Sequence, residues 1–125
     1  MAHSRKPNVV VITFDCVRAD HCGFMGYPKN ITPFLDSLAR KGVYFENACA
    51  TGPGSSVSFI GFHTSTYPLD YGGYSRIDRP RVMMSEVFKE HGYITIGLHS
   101  SAYFAGYFGY DRGWDVFRYF SHFKR

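Results

Sequence analysis

The sequence predicts an α/β fold with a largely parallel sheet, and two observations predict it. Residues 8–14 (NVVVITF) form a near-continuous β-branched run, the pattern of a strand buried on both faces. Helix signals then alternate with further short apolar runs, in the order strand, helix, strand, helix, helix, strand. Such alternation is what right-handed crossovers between parallel strands produce.

The first strand stops at Asp15. Thr32 stands as an N-cap with Pro33 at the first helical position, and Phe34, Leu35, Leu38 and Ala39 supply an apolar stripe. Arg40 and Lys41 suit the last turn and Gly42 the stop. Residues 43–48 (VYFENA) read as a second strand, interrupted by Glu46 and Asn47. After the loop Thr51-Gly52-Pro53-Gly54, Ser55 or Ser56 caps a short helix running to Thr64, and Tyr67-Pro68 closes that unit. Residues 69–81, with Gly72-Gly73 and Pro80, read as an irregular surface loop.

A helix over 82–91 is expected to turn Met84, Val87 and Phe88 inward and to end at Gly92. Residues 93–98 (YITIGL) follow as the third strand. Beyond Ser100, glycines and aromatics dominate without clear period, and the stretch reads as a loop with a short terminal helix near Trp114. No internal repeat is visible.

The 125 residues suit a single domain, 1–125, and a globular domain of that size buries roughly two thirds of its unfolded surface. Hydrophobic residues at 45% and charged residues at 19% exclude a disordered tail. The 12 Phe and 10 Tyr either fill a large core or cover a surface that something else packs against. A net charge of +4 arises from scattered pairs at Arg5-Lys6, Arg40-Lys41 and Lys124-Arg125, so no nucleic-acid partner is expected. No stretch approaches about 20 apolar residues and no leader pattern precedes Asn8, so neither a membrane partner nor export is expected. Cys16, Cys22 and Cys49 have no zinc-like spacing and are an odd number, which predicts free, mostly buried thiols and a cytoplasmic location.

In open α/β sheets, ligands sit beyond the carboxyl ends of the strands. Asp15, Ser55 and the run His99-Ser100-Ser101 occupy such positions. An acid after a buried strand either caps the following turn or holds a hard cation. A serine opening a helix is either a plain cap or a hydroxyl placed where the helix dipole favours an anion, able to attack phosphorus or sulfur once a metal lowers its pKa. The glycine loop before it lacks the Lys of a Walker phosphate loop.

Four ordered blocks tip these alternatives. The heptapeptide Asp15-Cys16-Val17-Arg18-Ala19-Asp20-His21, residues 27–47, residues 52–68, and residues 86–97 followed by Phe108-Gly109-Tyr110-Asp111-Arg112-Gly113 resemble, in order, the opening third of sulfatase-type hydrolases of the alkaline phosphatase superfamily. The resemblance implies the N-terminal portion of an α/β/α sandwich that hydrolyses sulfate or phosphate esters with a divalent metal ion, Ca, Mg, Mn or Zn. It implies Asp15 as a metal ligand and Ser55 as nucleophile and metal-contacting residue, either unmodified or converted to formylglycine.

The sequence departs from the family pattern in three places. The sulfatase signature has Pro two residues and Arg four residues after the nucleophile, where Val57 and Phe59 stand. Cys16 stands where a second Asp is usual. His99, Ser100, Ser101 and Ala102 replace a Gly-Lys-x-His block. The family also completes its metal site with an Asp-His or Asp-Asn pair far downstream, which nothing after Ser100 supplies. The expected protein is therefore an N-terminal fragment with an incomplete metal site, inactive by itself, acting on small-molecule sulfate or phosphate esters. The alternative is a non-catalytic module that self-associates or binds a missing C-terminal half through its aromatic surface.

Overall fold

The computed structural model describes residues 6–73, 76–78 and 80–120. The chain divides into two compact units, Met1–Ala48 and Cys49–Arg125.

In the first unit, two 3₁₀ turns, Ala19–His21 and Gly23–Met25, precede helix α1 (Pro33–Ala39). Pro33 opens α1 as its preset φ favours. Thr32 holds the N-cap position as expected, but its hydroxyl makes no capping bond to the first-turn amides. Its hydroxyl accepts from the Gly23 amide at 2.9 Å and donates to the Asp36 carboxylate at 3.0 Å, while the Phe24 amide donates to that carboxylate at 2.9 Å. Asp36 thus pins the second 3₁₀ turn to α1, and a side chain at Gly23 would collide with it. On the expected apolar stripe, Leu35 and Ala39 are half-buried, whereas Phe34 and Leu38 are exposed.

Neither residues 8–14 nor 43–48 form a strand. The β-branched run carries the propensity, but a strand exists only where its N–H and C=O groups find a ladder. Among the described residues that ladder is absent here, and Val10 and Phe45 stand 79% and 78% exposed.

The second unit holds α2 (Ser55–Thr64), α3 (Met84–Glu90), β1 (Ile96–His99) and β2 (Val116–Tyr119). β1 and β2 pair in parallel, Ile96 opposite Val116 through His99 opposite Tyr119, giving the α/β character that the alternating pattern predicts. The helix expected near Trp114 is β2 instead. Gly113 lies at φ 76°, a left-handed conformation that breaks a helix, and Val116-Phe117-Arg118-Tyr119 is strand-prone. Asp115 sets the register: its carboxylate accepts from the Thr95 amide at 2.9 Å and the Thr95 hydroxyl at 3.0 Å, and Lys89 pairs with it at 2.7 Å.

α3 begins where Glu86 reaches back to the Met83 amide at 2.9 Å. Its inward side differs from the expectation: Met83 and Ser85 are buried, Met84 and Phe88 half-buried, and Val87 exposed. The Ser85 hydroxyl explains the shift, because it donates to the Arg112 carbonyl at 2.6 Å and turns that edge of α3 toward the 109–113 turn.

The core of this unit is Ile60, Ile77, Met83 and Tyr110, with Phe59, Phe104, Phe108 and Phe117 packed on it. Phe59 and Phe104 lie 4.3 Å apart between ring centres, and Phe104 meets Tyr110 edge-on at 5.3 Å. Part of the aromatic excess therefore fills a core, while Phe14, Tyr67, Tyr103 and Tyr107 remain exposed. Residues 69–81 are not wholly surface loop, since Ile77 and Arg81 are buried; Tyr74, Ser75 and Arg79 lie outside the described residues. Of the three cysteines only Cys22 is buried, and Cys16 and Cys49 are exposed, contrary to the expectation of mostly buried thiols. No helix among the described residues is long and apolar enough to cross a membrane.

Candidate active site

Asp15 sits in the turn that follows residues 8–14, where its carboxylate accepts from the Cys16 amide at 3.0 Å. Cys16 adopts φ 60°, a left-handed conformation that costs a non-glycine residue about 1–2 kcal/mol. The turn is therefore held by Asp15 against a local preference, which fixes the direction in which the chain leaves it. Two residues on, Arg18 grips Asp20 through Nε at 3.0 Å and Nη2 at 2.6 Å, and His21 Nδ1 lies 3.1 Å from the same carboxylate. The Arg18 hydrogen bonds, then that of His21, hold the Asp20 carboxyl well below the usual carboxylate range. Asp20 and His21 are thus engaged in organising this loop.

Ser55 is the first residue of α2 and not its cap. Gly54 takes the N-cap position in an extended conformation, and the Ser58 hydroxyl folds back onto the Gly54 carbonyl at 3.1 Å. Ser55 is half-buried and Ser56 exposed. Close approach fixes the start of the helix: a Cβ on Gly52 would strike Val57, and a Cβ on Gly61 would strike Thr51. The 51–54 loop consequently lies along α2, and the Ser55 hydroxyl is presented in the first turn of a ten-residue helix, where the dipole is positive.

His99 ends β1, as expected of a residue at the carboxyl edge of a strand. Its Nδ1 lies 2.9 Å from the Ser101 carbonyl and its ring stacks on Phe117 at 4.7 Å. Sequence reasoning missed His63, two turns along α2 from Ser55. Its ring is enclosed by Phe59, Phe62, Tyr110 and Trp114 at centre distances of 5.2 to 6.4 Å, and its buried Nδ1 has no hydrogen-bond partner. Burial lowers its pKa to about 4, so the ring is neutral at pH 7. The available signal was its spacing three residues after Ile60 and four after Phe59, which puts it on the apolar side of α2.

Asp15 belongs to the first unit, and Ser55 and His99 to the second. Among the described residues, no three His, Cys, Asp or Glu side chains converge as a metal shell.

The chain matches the family model described as Sulfatase over residues 7–124. It is 34% identical over 93 residues to an ulvan-active sulfatase of Formosa agariphila, covering 72% of this chain and 18% of that protein. To an N-acetylgalactosamine-6-O-sulfatase of Bacteroides thetaiotaomicron it is 37% identical over 101 residues, 74% of this chain and 20% of that protein. To arylsulfatase A of Homo sapiens it is 29% identical over 104 residues, 76% of this chain and 20% of that protein. The chain spans about a fifth of the length of these curated relatives. No solved structure matches it. With the family model covering nearly the whole sequence and the serine-led helix and acid-ended first segment both inside it, the chain belongs to the sulfatase family.

Proposed function

We propose that this chain contributes Ser55 as nucleophile and Asp15 as a metal ligand to a metal-dependent sulfate-ester hydrolase. The observation that carries this reading is the placement of Ser55 in the first turn of α2, inside a family match that runs from residue 7 to 124. Gly54 occupies the N-cap position, so Ser55 lies within the first turn of the helix. A hydroxyl there faces the partial positive charge of the helix terminus, which stabilises an ester oxygen as it gains charge in an in-line attack.

The relatives bear sulfatase names, which favours a sulfate ester as substrate, split to an alcohol and inorganic sulfate. Val57 and Phe59, in place of the signature Pro and Arg, favour an unmodified Ser55 over formylglycine and keep phosphate esters as the second reading. The ion, one of Ca, Mg, Mn or Zn, would take Asp15 as one of its ligands, completed by groups from a longer protein. The 125-residue chain alone is then inactive.

The test is hydrolysis of aryl sulfate and aryl phosphate with each ion added in turn. The 125-residue chain is compared with a fusion that continues it into the remaining four fifths of the Bacteroides thetaiotaomicron relative. Turnover only in the fusion, lost on Ser55→Ala, supports the proposal. Strong turnover by the short chain alone contradicts its incompleteness, and turnover indifferent to Ser55→Ala contradicts the nucleophile. Intact mass reports on modification, since formylglycine formation would remove two hydrogens from Ser55.

A further inference from the structure

A cavity of about 390 Å³ in the first unit is lined by the second 3₁₀ turn, residues 27–30, one face of α1 and Tyr44. That volume is near the small end of the range of about 300–1,000 Å³ for small-molecule sites. The cavity lies wholly within Met1–Ala48, and neither Asp15 nor Ser55 lines it.

Its walls are set by bonds already in place. One Asp36 carboxylate oxygen accepts from both the Phe24 amide and the Thr32 hydroxyl, and Gly26, at φ 95°, turns the chain back between Phe24 and Tyr27. Asp36, Ala39 and Arg40 fall at i, i+3 and i+4, so one face of α1 borders the space. A site held in this way loses little freedom when it is filled.

The lining is aromatic and positive. Phe24 meets Tyr44 edge-on at 5.4 Å and Tyr27 packs on His21 at 4.5 Å, so each lining ring is braced by a neighbour. Lys29 and Arg40 bring two positive charges against one negative from Asp36, which leaves a single positive charge unanswered. Neither cation pairs with an acid among the described residues, and Glu46, which takes the Tyr44 hydroxyl at 3.4 Å, does not line the cavity. A guanidinium fork matches a carboxylate, and aromatic side chains pack against a flat ring.

We propose that this cavity binds a small aromatic carboxylate, its ring against Phe24, Tyr27 and Tyr44 and its acid group between Lys29 and Arg40. The occupant is a monoanion because one charge is left to answer, and aromatic because three of the lining side chains are rings.

The experiment titrates the ¹⁵N-labelled 125-residue chain with benzoate and follows its amide shifts. Acetate, which lacks the ring, and benzyl alcohol, which lacks the charge, are titrated beside it. The expected result is saturable shifts in residues 23–30 and 36–44 with a Kd on the order of 1 mM, and binding of the other two weaker by at least about tenfold. Lys29→Gln combined with Arg40→Gln weakens benzoate by at least about tenfold, whereas Lys41→Gln, at an exposed cation that does not line the cavity, leaves its affinity unchanged. The proposal is overturned by the lack of a saturable shift in these residues, by acetate or benzyl alcohol binding as well as benzoate, by an unchanged affinity in the double variant, or by an equal loss in Lys41→Gln.

Discussion

Arg112 reaches Glu86 twice across a separation of 26 residues, Nε to Oε1 at 3.3 Å and Nη2 to Oε2 at 2.7 Å. Both side chains are largely covered, at 20% and 14% exposure. The pair joins the 109–113 turn to the first turn of α3, and the same guanidinium donates to the carbonyls of Ile77 and Arg81. Replacing Arg112 by Met leaves Glu86 covered without its cation, and a loss of about 3 kcal/mol is expected. Urea unfolding measures it through a lower midpoint at unchanged m. Arg112→Lys keeps the charge yet cannot span these acceptors, so it recovers less than half of the loss.

Gly61 should reverse the usual helix rule. An exposed helical Gly→Ala ordinarily gains about 1 kcal/mol. Here the new Cβ would meet the Thr51 side chain, so Gly61→Ala is expected to cost roughly 1–3 kcal/mol. Thr51→Gly in the same chain should restore part of it, as a double-mutant cycle by denaturant unfolding would show.

His63 should make stability fall with acid. Its pKa is about 4 in the folded chain against about 6.5 unfolded, so between those values the unfolded state binds more protons. Stability conferred by the neutral ring is whole above pH 6.5 and is lost as pH falls toward 4, with a slope of at most about 1.4 kcal/mol per pH unit. Denaturant midpoints collected across that range should flatten in His63→Leu.

Asp115 acts in a lower window. Lys89 first, then the Thr95 amide and hydroxyl, lower its carboxyl pKa to about 2. Its contribution is present above its ordinary value near 3.8 and disappears as pH falls toward 2. Asp115→Asn should remove that second acid transition while leaving the His63 transition in place, which pH titration of unfolding resolves.

The elements that the sequence disclosed are those specified by local chemistry. Pro33 and Gly92 bound helices close to where the pattern puts them, and the start of α2 after Gly54 follows from the glycine loop. What could not be read depends on partners distant in the chain. The 8–14 run has the composition of a strand, but pairing is a property of two segments, and among the described residues this one has no ladder. β2 was hidden because its register comes from Asp115 on Thr95, twenty residues away. Arg81 reads as a loop cation, and only the packing of Ile77, Met83 and Tyr110 reveals that it is buried. For the candidate site, the sequence made the positions of Asp15 and Ser55 legible, an acid after the first apolar run and a serine opening a helix. His63 was not, because a histidine between aromatics gives no sign of its partners until the fold encloses it.

The most direct test of the half-site account is the rate of aryl sulfate hydrolysis by the fusion bearing Ser55→Ala, measured beside its parent at saturating metal. The account predicts a fall of at least about a thousandfold with unchanged far-ultraviolet circular dichroism. A Ser55→Ala fusion as active as its parent would contradict it.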